Sequence, residues 1–183
     1  MRKIEIHGYA IVSDDDMIAD AAGEVPLALR NEKDWEQYQA AQARSALVAF
    51  ARKSHENEPN TRAEPRLVMS RTAKGLEKRA DAWWWNPEEI AWADIVARVA
   101  PEGGEVAACG GQGVFDLFLA IGYDVFHLAR ARGVTLPGGR KLFSACEAGV
   151  TAEAALQARG LRLAERIELD PVQGVEMNIW RKR

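Results

Sequence analysis

The sequence predicts an α/β protein whose central sheet is mostly parallel and ends in a C-terminal antiparallel hairpin. Short apolar segments rich in β-formers alternate along the chain with segments of helical hydrophobic period. Strands that are buried on both faces and separated by helices are typical of parallel sheets. The last two strands are joined by the turn DPVQG at 170–174, which is too short for a parallel crossover. A chain of 183 residues suffices for one core, so we expect a single domain over residues 1–183.

The individual elements follow from the same periodicity. Asn31 can cap the first helix, and Asn86 followed by Pro87 can open the second. The predicted helices lie at 32–43, 88–100, 113–121 and 151–159. The predicted strands lie at 3–13, 45–51, 66–70, 105–109, 123–131, 161–169 and 174–182, with the run DAWWW at 81–85 as a candidate eighth.

Composition excludes several classes of partner. The chain has 24 Lys and Arg against 27 Asp and Glu, a formal net charge of -3, so we expect no nucleic acid and no membrane partner. No signal-peptide pattern precedes the first strand, and no apolar run approaches the roughly 18 to 20 residues that span a bilayer, which favours a cytoplasmic protein. Cys109 and Cys146 lack CxxC spacing and a neighbouring His pattern, so we expect reduced packing cysteines and no metal site.

A glycine-rich turn between a strand and a helix is the first candidate binding feature. The stretch EVAACGGQGVFDLFLAIGYD at 105–124 places Gly-Gly-Gln-Gly where a strand ends and a helix begins. It is not a Rossmann fingerprint, because Asp116 occupies the third glycine position, and it is not a P-loop, because Val114 and Phe115 replace the Lys and hydroxyl. Backbone N–H groups at such a helix N-terminus favour an anion, whereas the alternative is plain tight packing.

Further segments, in order along the chain, resemble the dihydrofolate reductase superfamily, including the reductase domain of riboflavin-biosynthesis deaminase-reductases. AIVSDDDMIADAAGE is similar to the family's first strand and turn, with Ser13, Asp15, Ile18 and Ala19 in matching places. LVAFARKSHE resembles the Gly-Arg-x-Thr motif, LVMSRTA the next strand and turn, and CGGQGVFDLFL the Gly-Gly turn; YDVFHLARARGVTLPGGRKLF resembles the strand and loop that follow. The resemblance implies a dihydrofolate reductase-like three-layer sandwich and an NADPH-dependent reductase.

The resemblance also implies where NADPH would bind. Its 2′-phosphate would be held by two basic and two hydroxyl side chains, a chemistry that suits a phosphate because a guanidinium offers a fork of donors. The alternative for these arginines is solvated surface charge. The family's Gly-Gly peptide is cis, which implies the same of Gly110–Gly111. The residues expected to bind the 2′-phosphate are Arg52, Ser54, Ser70 and Arg71. Those expected to bind the pyrophosphate are Gly111, Gln112, Gly113 and Val114, and the other expected cofactor contacts are Ile18, Ala19, Ala51, Lys53 and Gly110.

A carboxylate is the candidate catalytic and substrate-binding group. Asp34 lies near the place of the family's substrate-binding acid, one residue out of register when counted from Ala51. There it could hydrogen-bond a pyrimidine-like N–H and amino pair and support protonation of the ring. Asp34 is equally the third residue after Asn31, where an acid completes a capping arrangement and meets the helix dipole. The sequence leaves both interpretations open.

Four further residues are candidates for binding the substrate, because of where they lie on their strands. Tyr9 and Ile11 share one face of the first strand, which by the resemblance faces the nicotinamide and a small heterocyclic substrate; core packing is the alternative. Arg130 and Arg132 are candidates for an anionic substrate tail such as a ribityl phosphate, or else exposed strand-end arginines. His7 and His127 are interpreted as structural histidines, and Leu128 as the residue where true dihydrofolate reductases carry a Thr beside the acid.

The departures from the family pattern keep other functions open, and the hairpin indicates a partner. Ala51 replaces the Gly before the motif's Arg, so a dihydrofolate or dihydropteridine reductase proper and a non-catalytic dinucleotide- or pterin-binding protein remain alternatives. The Ala-rich helix at 151–159 is expected to cover little of the hairpin, which predicts a homodimer over the sheet edge or its exposed face. The apolar hairpin residues are Leu163, Ile167, Leu169, Met177, Ile179 and Trp180.

Overall fold

A computed structural model describes residues 3–183, which form an α/β fold with one large sheet. The helices are α1 Glu32–Arg44, α2 Arg52–Asn57, α3 Trp92–Val99, α4 Gln112–Ile121 and α5 Ala152–Ala158, with 3-10 turns at Leu27–Leu29 and Ser144–Ala148. The strands are β1 Ile4–Val12, β2 Met17–Ala19, β3 Leu47–Ala51, β4 Arg66–Met69, β5 Leu76–Lys78, β6 Trp83–Trp85, β7 Gly104–Ala108, β8 Val125–Ala131, β9 Arg140–Lys141, β10 Leu161–Asp170 and β11 Val175–Lys182.

The large sheet is mostly parallel and closes with the C-terminal hairpin. Its strand order is β10-β11-β8-β1-β7-β3-β4-β6-β5, and β2 pairs with β9 in a separate small sheet. All pairs from β8 through β1, β7, β3 and β4 to β6 are parallel, whereas β10, β11 and β5 run antiparallel to their neighbours. Both features confirm the predicted fold class. The parallel strands end at one edge of the sheet, where ligands bind in open α/β sheets.

Helices cover both faces of the sheet, because its central strands are apolar on both sides. Along β3, Leu47 and Ala49 pack into the cluster that contains α3, α4 and α5, while Val48 and Phe50 pack under α1. Phe50 and Leu47 are fully buried, and each such side chain contributes about 1.5–3 kcal/mol to the stability of the fold. Residues 3–183 therefore form the three layers that the family resemblance implies.

Two predictions at the level of elements need correction. The helix predicted at 88–100 is α3, and it begins at Trp92 and not at Glu88 because Asn86 caps a turn instead. The carbonyl of Asn86 accepts from the N–H of Glu89, and its side chain accepts from the N–H of Glu88. The short helix α2 was not predicted, because six polar residues give no apolar period; only His55 of this helix is buried. The candidate eighth strand at 81–85 is present as β6, Trp83–Trp85.

Four of the six apolar hairpin residues are buried within one chain, and Leu163 and Ile167 are partly buried, which weakens the premise of the predicted homodimer. Leu169, Met177 and Ile179 pack with Leu29 and Val125 on one face of the hairpin. On the other face, Trp180 is buried in the cluster that contains α5, so this helix covers more than its composition indicated. The homodimer itself stays a prediction. No helix within residues 3–183 has the length and apolar character needed to cross a bilayer.

Candidate functional site

A long cleft lies at the carboxyl-terminal edge of the sheet. A cavity of about 1160 Å³ runs from α1 and the ends of β1 and β8, past the segment at 18–25, to the glycine turn before α4. A second hollow of about 680 Å³ lies beyond it, between the ends of β4 and α4, and Gly113 lines both. We call the first the heterocycle end and the second, together with the glycine turn, the phosphate end. The main cavity alone exceeds the roughly 300–1,000 Å³ of a typical small-molecule pocket.

The glycine turn is held against the end of β3. The N–H of Ala51 donates to the carbonyl of Gly110 at 2.7 Å, and the N–H of Cys109 donates to the carbonyl of Ala49. A Cβ at Gly111 would lie 3.1 Å from the Cβ of Ala51, and one at Gly110 would lie 3.3 Å from the Ser54 hydroxyl, so this close approach requires glycine. The expected cis peptide at Gly110–Gly111 is wrong, since residues 3–183 contain no cis bond.

The first N–H groups of α4 are available to an anion. Gly111 is the N-terminal cap residue, and no side chain caps the helix. The first backbone N–H groups of a helix have no partner within it, and here they follow the turn that lines the cleft. Gln112 lines the cleft while its side chain donates to Glu147 at 3.0 Å, and Val114 is buried beneath the turn. The N–H of Val114 donates to the carbonyl of Gly111 at 3.0 Å, so Val114 contributes packing, and the N–H groups left for an anion are those of Gly111, Gln112 and Gly113.

Basic and hydroxyl side chains line the hollow at the phosphate end. Arg52 and Arg71 line the hollow; Arg52 pairs with Glu56 at 3.2 Å, whereas the Arg71 guanidinium bonds to no residue in 3–183. Ser70 also lines it, and its hydroxyl lies 2.9 Å from that of Thr72, a hydroxyl that sequence reasoning missed. Ser54 lies on the other side of the turn and lines the main cleft.

Other predicted cofactor residues line the main cavity and not the second hollow. Ile18, Ala19 and Ala51 line the main cavity. Lys53 also lines it, but its ammonium group donates to the carbonyl of Ala22 and pairs with Glu24 at 2.9 Å. The lysine therefore holds the segment at 20–24 against α2. Two acids, Glu88 and Asp116, lie in the phosphate end and offset part of its positive charge.

Asp34 projects into the heterocycle end without a partner. The side chain of Asn31 accepts from the N–H of Asp34 at 3.1 Å and so caps α1, while a bond from Asn31 to Asp170 at 2.9 Å anchors the helix start to the hairpin turn. The Asp34 carboxyl makes no hydrogen bond or ion pair within residues 3–183, and it lines the cavity. Burial raises the pKa of Asp34 to about 6. The reciprocal capping arrangement is therefore not formed.

Tyr9 and His127 form a stacked pair in the cleft wall. Their ring centroids lie 4.6 Å apart with 8° between the planes, and the register of β1 and β8 places the two residues side by side. The Tyr9 hydroxyl donates to Glu105 at 2.7 Å and accepts from Arg44, so its ring is held from behind. Burial, followed by the bond to Glu105, raises the pKa of Tyr9 far above its usual value. Ile11 lines the same cavity.

The assignment of Leu128 was wrong in register, and His127 takes the cleft-facing position in its place. Leu128 is buried on the opposite face of β8, in the cluster beneath α4, whereas His127 lines the cleft. The signal was available in the alternation of β8: Val125 and Ala129 share the His127 face and are buried apolar residues, so one imidazole interrupts an apolar face. Finding it required the pairing of β8 with β1.

The predicted anion-binding role of Arg130 and Arg132 is wrong. Arg130 is buried on the α5 side, where it donates to Asp16 at 2.7 Å and to Glu153 at 2.6 Å. Arg132 is tied to Glu176 at 2.8 Å. Neither lines the cavity, because β8 carries Arg130 on the same face as Leu128. The arginines that do line the main cavity are Arg30, which donates to the carbonyl of Val25, and Arg140.

A buried network connects the helix that carries Asp34 to the glycine turn. The hydroxyl of Tyr38, on α1, lies 3.2 Å from both Glu58 and the carbonyl of Cys109. Burial raises the pKa of Tyr38 well above its usual value. Cys109 and Cys146 are free and buried, and residues 3–183 contain no cluster of three groups that could hold a metal ion. The network fixes the two ends of the cleft relative to each other.

Solved structures share this architecture. A protein from Shewanella sp. PV-4 described as a riboflavin biosynthesis protein matches at a TM-score of 0.68 and 15% identity, over 98% of this chain and 99% of that one. A diaminohydroxyphosphoribosylaminopyrimidine deaminase/5-amino-6-(5-phosphoribosylamino)uracil reductase from Thermotoga maritima matches at 0.69 and 13%, over 99% of this chain and 57% of that one. Dihydrofolate reductase from Enterococcus faecalis, complexed with NADP(H) and RAB-propyl, matches at 0.68 and 11%, over 98% and 96%.

These matches establish the fold. The chain has the dihydrofolate reductase-like fold, which confirms the resemblance inferred from its motifs at the level of architecture. No protein-family model and no curated protein matches the sequence.

Proposed function

We propose that the protein is an NADPH-dependent reductase that transfers hydride to a small pteridine-, pyrimidine- or flavin-precursor-like heterocycle. One observation carries the proposal: two adjoining cavities that share Gly113 place the start of α4 and two arginines on one side, and an unpartnered carboxyl and a stacked aromatic wall on the other. A dinucleotide needs the first end and a polar planar substrate needs the second. Reductase names among the structural neighbours are consistent with it.

The residues at the phosphate end fit NADPH. The N–H groups at the start of α4 would bind the pyrophosphate, because Gly110 and Gly111 allow the backbone to approach it. Arg52 and Arg71 would bind the 2′-phosphate, with the hydroxyl of Ser70 as a neutral donor beside them. The cofactor, when bound, supplies the hydride; the protein contributes position and the exclusion of water.

At the heterocycle end, Asp34 is the group suited to handle the substrate's protons. A carboxyl whose pKa is about 6 is partly protonated near neutral pH, so it can donate a proton or hydrogen-bond an N–H and amino pair. Tyr9 and Ile11 would bound the ring on one side. Arg30 and Arg140 replace Arg130 and Arg132 as candidates for an anionic substrate tail, because they line the cavity.

The proposal is tested by steady-state oxidation of NADPH with a panel of dihydropterins, dihydrofolate and aminopyrimidine-diones that carry a ribosylamino group, whose ring-opened form offers a C=O or C=N carbon to the hydride. We expect saturable oxidation with at least one member of the panel. Oxidation with dihydrofolate alone would favour a dihydrofolate reductase proper. Tight NADPH binding with no turnover on any member would contradict the reductase and favour a non-catalytic binding protein.

We also propose that the reductase is a cytoplasmic homodimer built from a single domain over residues 1–183. The unpaired outer edge of β10 is available to a second copy, since β10 ends the large sheet. Light scattering should then give about twice the chain mass of 20.2 kDa at micromolar concentration. A particle of the monomer mass would exclude the homodimer without touching the assignment of the cleft.

A further inference from the structure

His127 differs from the other two histidines in having no polar partner. His55 is buried and pairs with Asp81 at 2.9 Å. A ring nitrogen of His7 lies 3.4 Å from the Tyr9 hydroxyl and 3.6 Å from Glu105. The ring nitrogens of His127 bond to no residue within 3–183, although the side chain is half-buried and lines the cleft. These nitrogens are not enclosed by protein, so they open onto the cleft and are free to pair with a bound ligand.

The ring of His127 is also fixed and uncharged. It stacks on Tyr9, whose hydroxyl is held by Glu105 and Arg44, so the pair behaves as one rigid surface. Burial, followed by the neighbouring His7 and Arg44, lowers the pKa of His127 to about 4, so the imidazole is neutral at physiological pH. A neutral imidazole has one N–H donor and one acceptor nitrogen.

We infer that His127 is a specificity-determining residue whose imidazole hydrogen-bonds the polar edge of a neutral planar heterocycle in the cleft. The inference rests on the proposed function and adds how the site distinguishes its substrate. Asp34 and His127 line the same cavity from α1 and from β8, so the heterocycle would meet two separate polar groups. A site that hydrogen-bonds its ligand rejects analogues that lack the bonding group, because its own polar atoms are then left unpaired.

Binding of a defined probe tests the inference without turnover. The probe is 5,6-diaminouracil, titrated into the NADPH-loaded protein and, separately, into the free protein, while the imidazole nitrogens are followed by NMR. We expect the ring nitrogens of His127 to shift and those of His55 to stay unchanged. His127→Phe keeps a ring against Tyr9 and removes both nitrogens, so it should weaken the probe about tenfold, as expected for one lost hydrogen bond.

Two amide variants separate recognition from packing. Asn and Gln at position 127 place polar atoms near the two ring nitrogens of histidine, so at least one of them should bind the probe within about threefold of wild type. NADPH affinity should be the same in all three variants. Three results would each overturn the inference. They are equal probe affinity in wild type and His127→Phe, an equal loss of probe affinity in all three variants, and no NMR shift of the His127 nitrogens. If the protein binds NADPH but not the probe, the inference about His127 is overturned and the cofactor assignment stands. If it binds the probe but not NADPH, the cofactor assignment is overturned and the inference about His127 stands.

Discussion

The two ends of the cleft are built in different ways. The phosphate end is made from three short stretches of chain, each continuous in sequence. They are the glycine turn with the first turn of α4, and the segments that directly follow β3 and β4. The heterocycle end is made from single residues on separate elements, with Asp34 on α1, Tyr9 on β1 and His127 on β8. Backbone groups and exposed cations dominate the first, whereas desolvated side chains dominate the second.

This difference separates binding from chemistry. A phosphate is a strong acceptor, so backbone N–H groups and mobile arginines suffice to hold it. A proton transfer or the recognition of one heterocycle needs groups with altered pKa values and fixed directions, and those come from burial. The predictions below test each end in turn, beginning with the largest expected effect.

Gly111→Val should abolish NADPH binding. Even the Cβ lies 3.1 Å from Ala51, and the two further methyl groups of valine would occupy the space through which the pyrophosphate reaches the backbone. Isothermal titration measures the affinity, and circular dichroism checks that the variant is folded. The control is Ala97→Val, which adds the same two methyl groups at an exposed position on α3, away from both cavities, and should bind NADPH as wild type does. Normal NADPH binding by Gly111→Val would place the pyrophosphate elsewhere.

Asp34→Asn should lower kcat by about 100-fold, the usual scale for one general acid or base. If the neutral carboxyl donates the proton, wild-type kcat should fall as the pH rises through about 6, and the variant should lose this dependence. The pH profile of kcat measures both effects. Asp94→Asn, an acid in the first turn of α3, is the matched control and should leave kcat unchanged. A profile with the same inflection in wild type and Asp34→Asn would assign the inflection to another group.

Replacing both Arg52 and Arg71 by Ala should weaken NADPH by about tenfold or more, since charge-assisted hydrogen bonds contribute about 1.5–3 kcal/mol each. NADH, which lacks the 2′-phosphate, should bind the variant as it binds wild type. Glu88→Gln removes a negative charge from the same hollow and should strengthen NADPH slightly. Arg98→Ala, on α3, should change neither affinity. Equal losses for NADPH and NADH would remove the 2′-phosphate from this hollow.

Asp34→Asn should also raise the free energy of unfolding at pH 7. The folded state raises the pKa of Asp34 from its ordinary 3.8 to about 6, so the folded protein binds this proton more tightly than the unfolded chain. The contribution of Asp34 to stability is therefore present at low pH and is lost as the pH rises from about 4 to 6. Allowing for partial exposure, we expect a gain of about 1–2 kcal/mol at pH 7. Urea unfolding at pH 4 and pH 7 measures it, and no difference between wild type and variant at pH 7 would show that the carboxyl is not desolvated.

The sequence predicted the phosphate end better than the heterocycle end, for the same structural reason. Gly110, Gly111, Arg52 and Ser70 are brought together by local motifs at strand ends, so chain order alone places them. The position of Asp34 also followed from a local helix start. Leu128 and Arg130 were assigned to the wrong face because the faces of β8 depend on how it pairs with β1, and a shift of one residue exchanges the two faces of a strand.

The hairpin shows a second limit of sequence reasoning. Small residues in α5 were interpreted as poor cover, but Ala152 and Ala155 are buried and let the helix lie close to the sheet, where Leu156 and Trp180 join one cluster. Close approach by small side chains buries the neighbouring large ones. The residue types of a helix indicate how much apolar surface the helix offers, but they do not indicate how closely the helix packs on the sheet.

The most direct test of the two-ended cleft is a crystal structure of the protein with NADPH. Our account predicts the pyrophosphate at the N–H groups that begin α4, the 2′-phosphate between Arg52 and Arg71, and the nicotinamide in the cavity lined by Tyr9 and Asp34. A cofactor bound in the opposite direction, or one whose nicotinamide lies outside that cavity, would contradict the account.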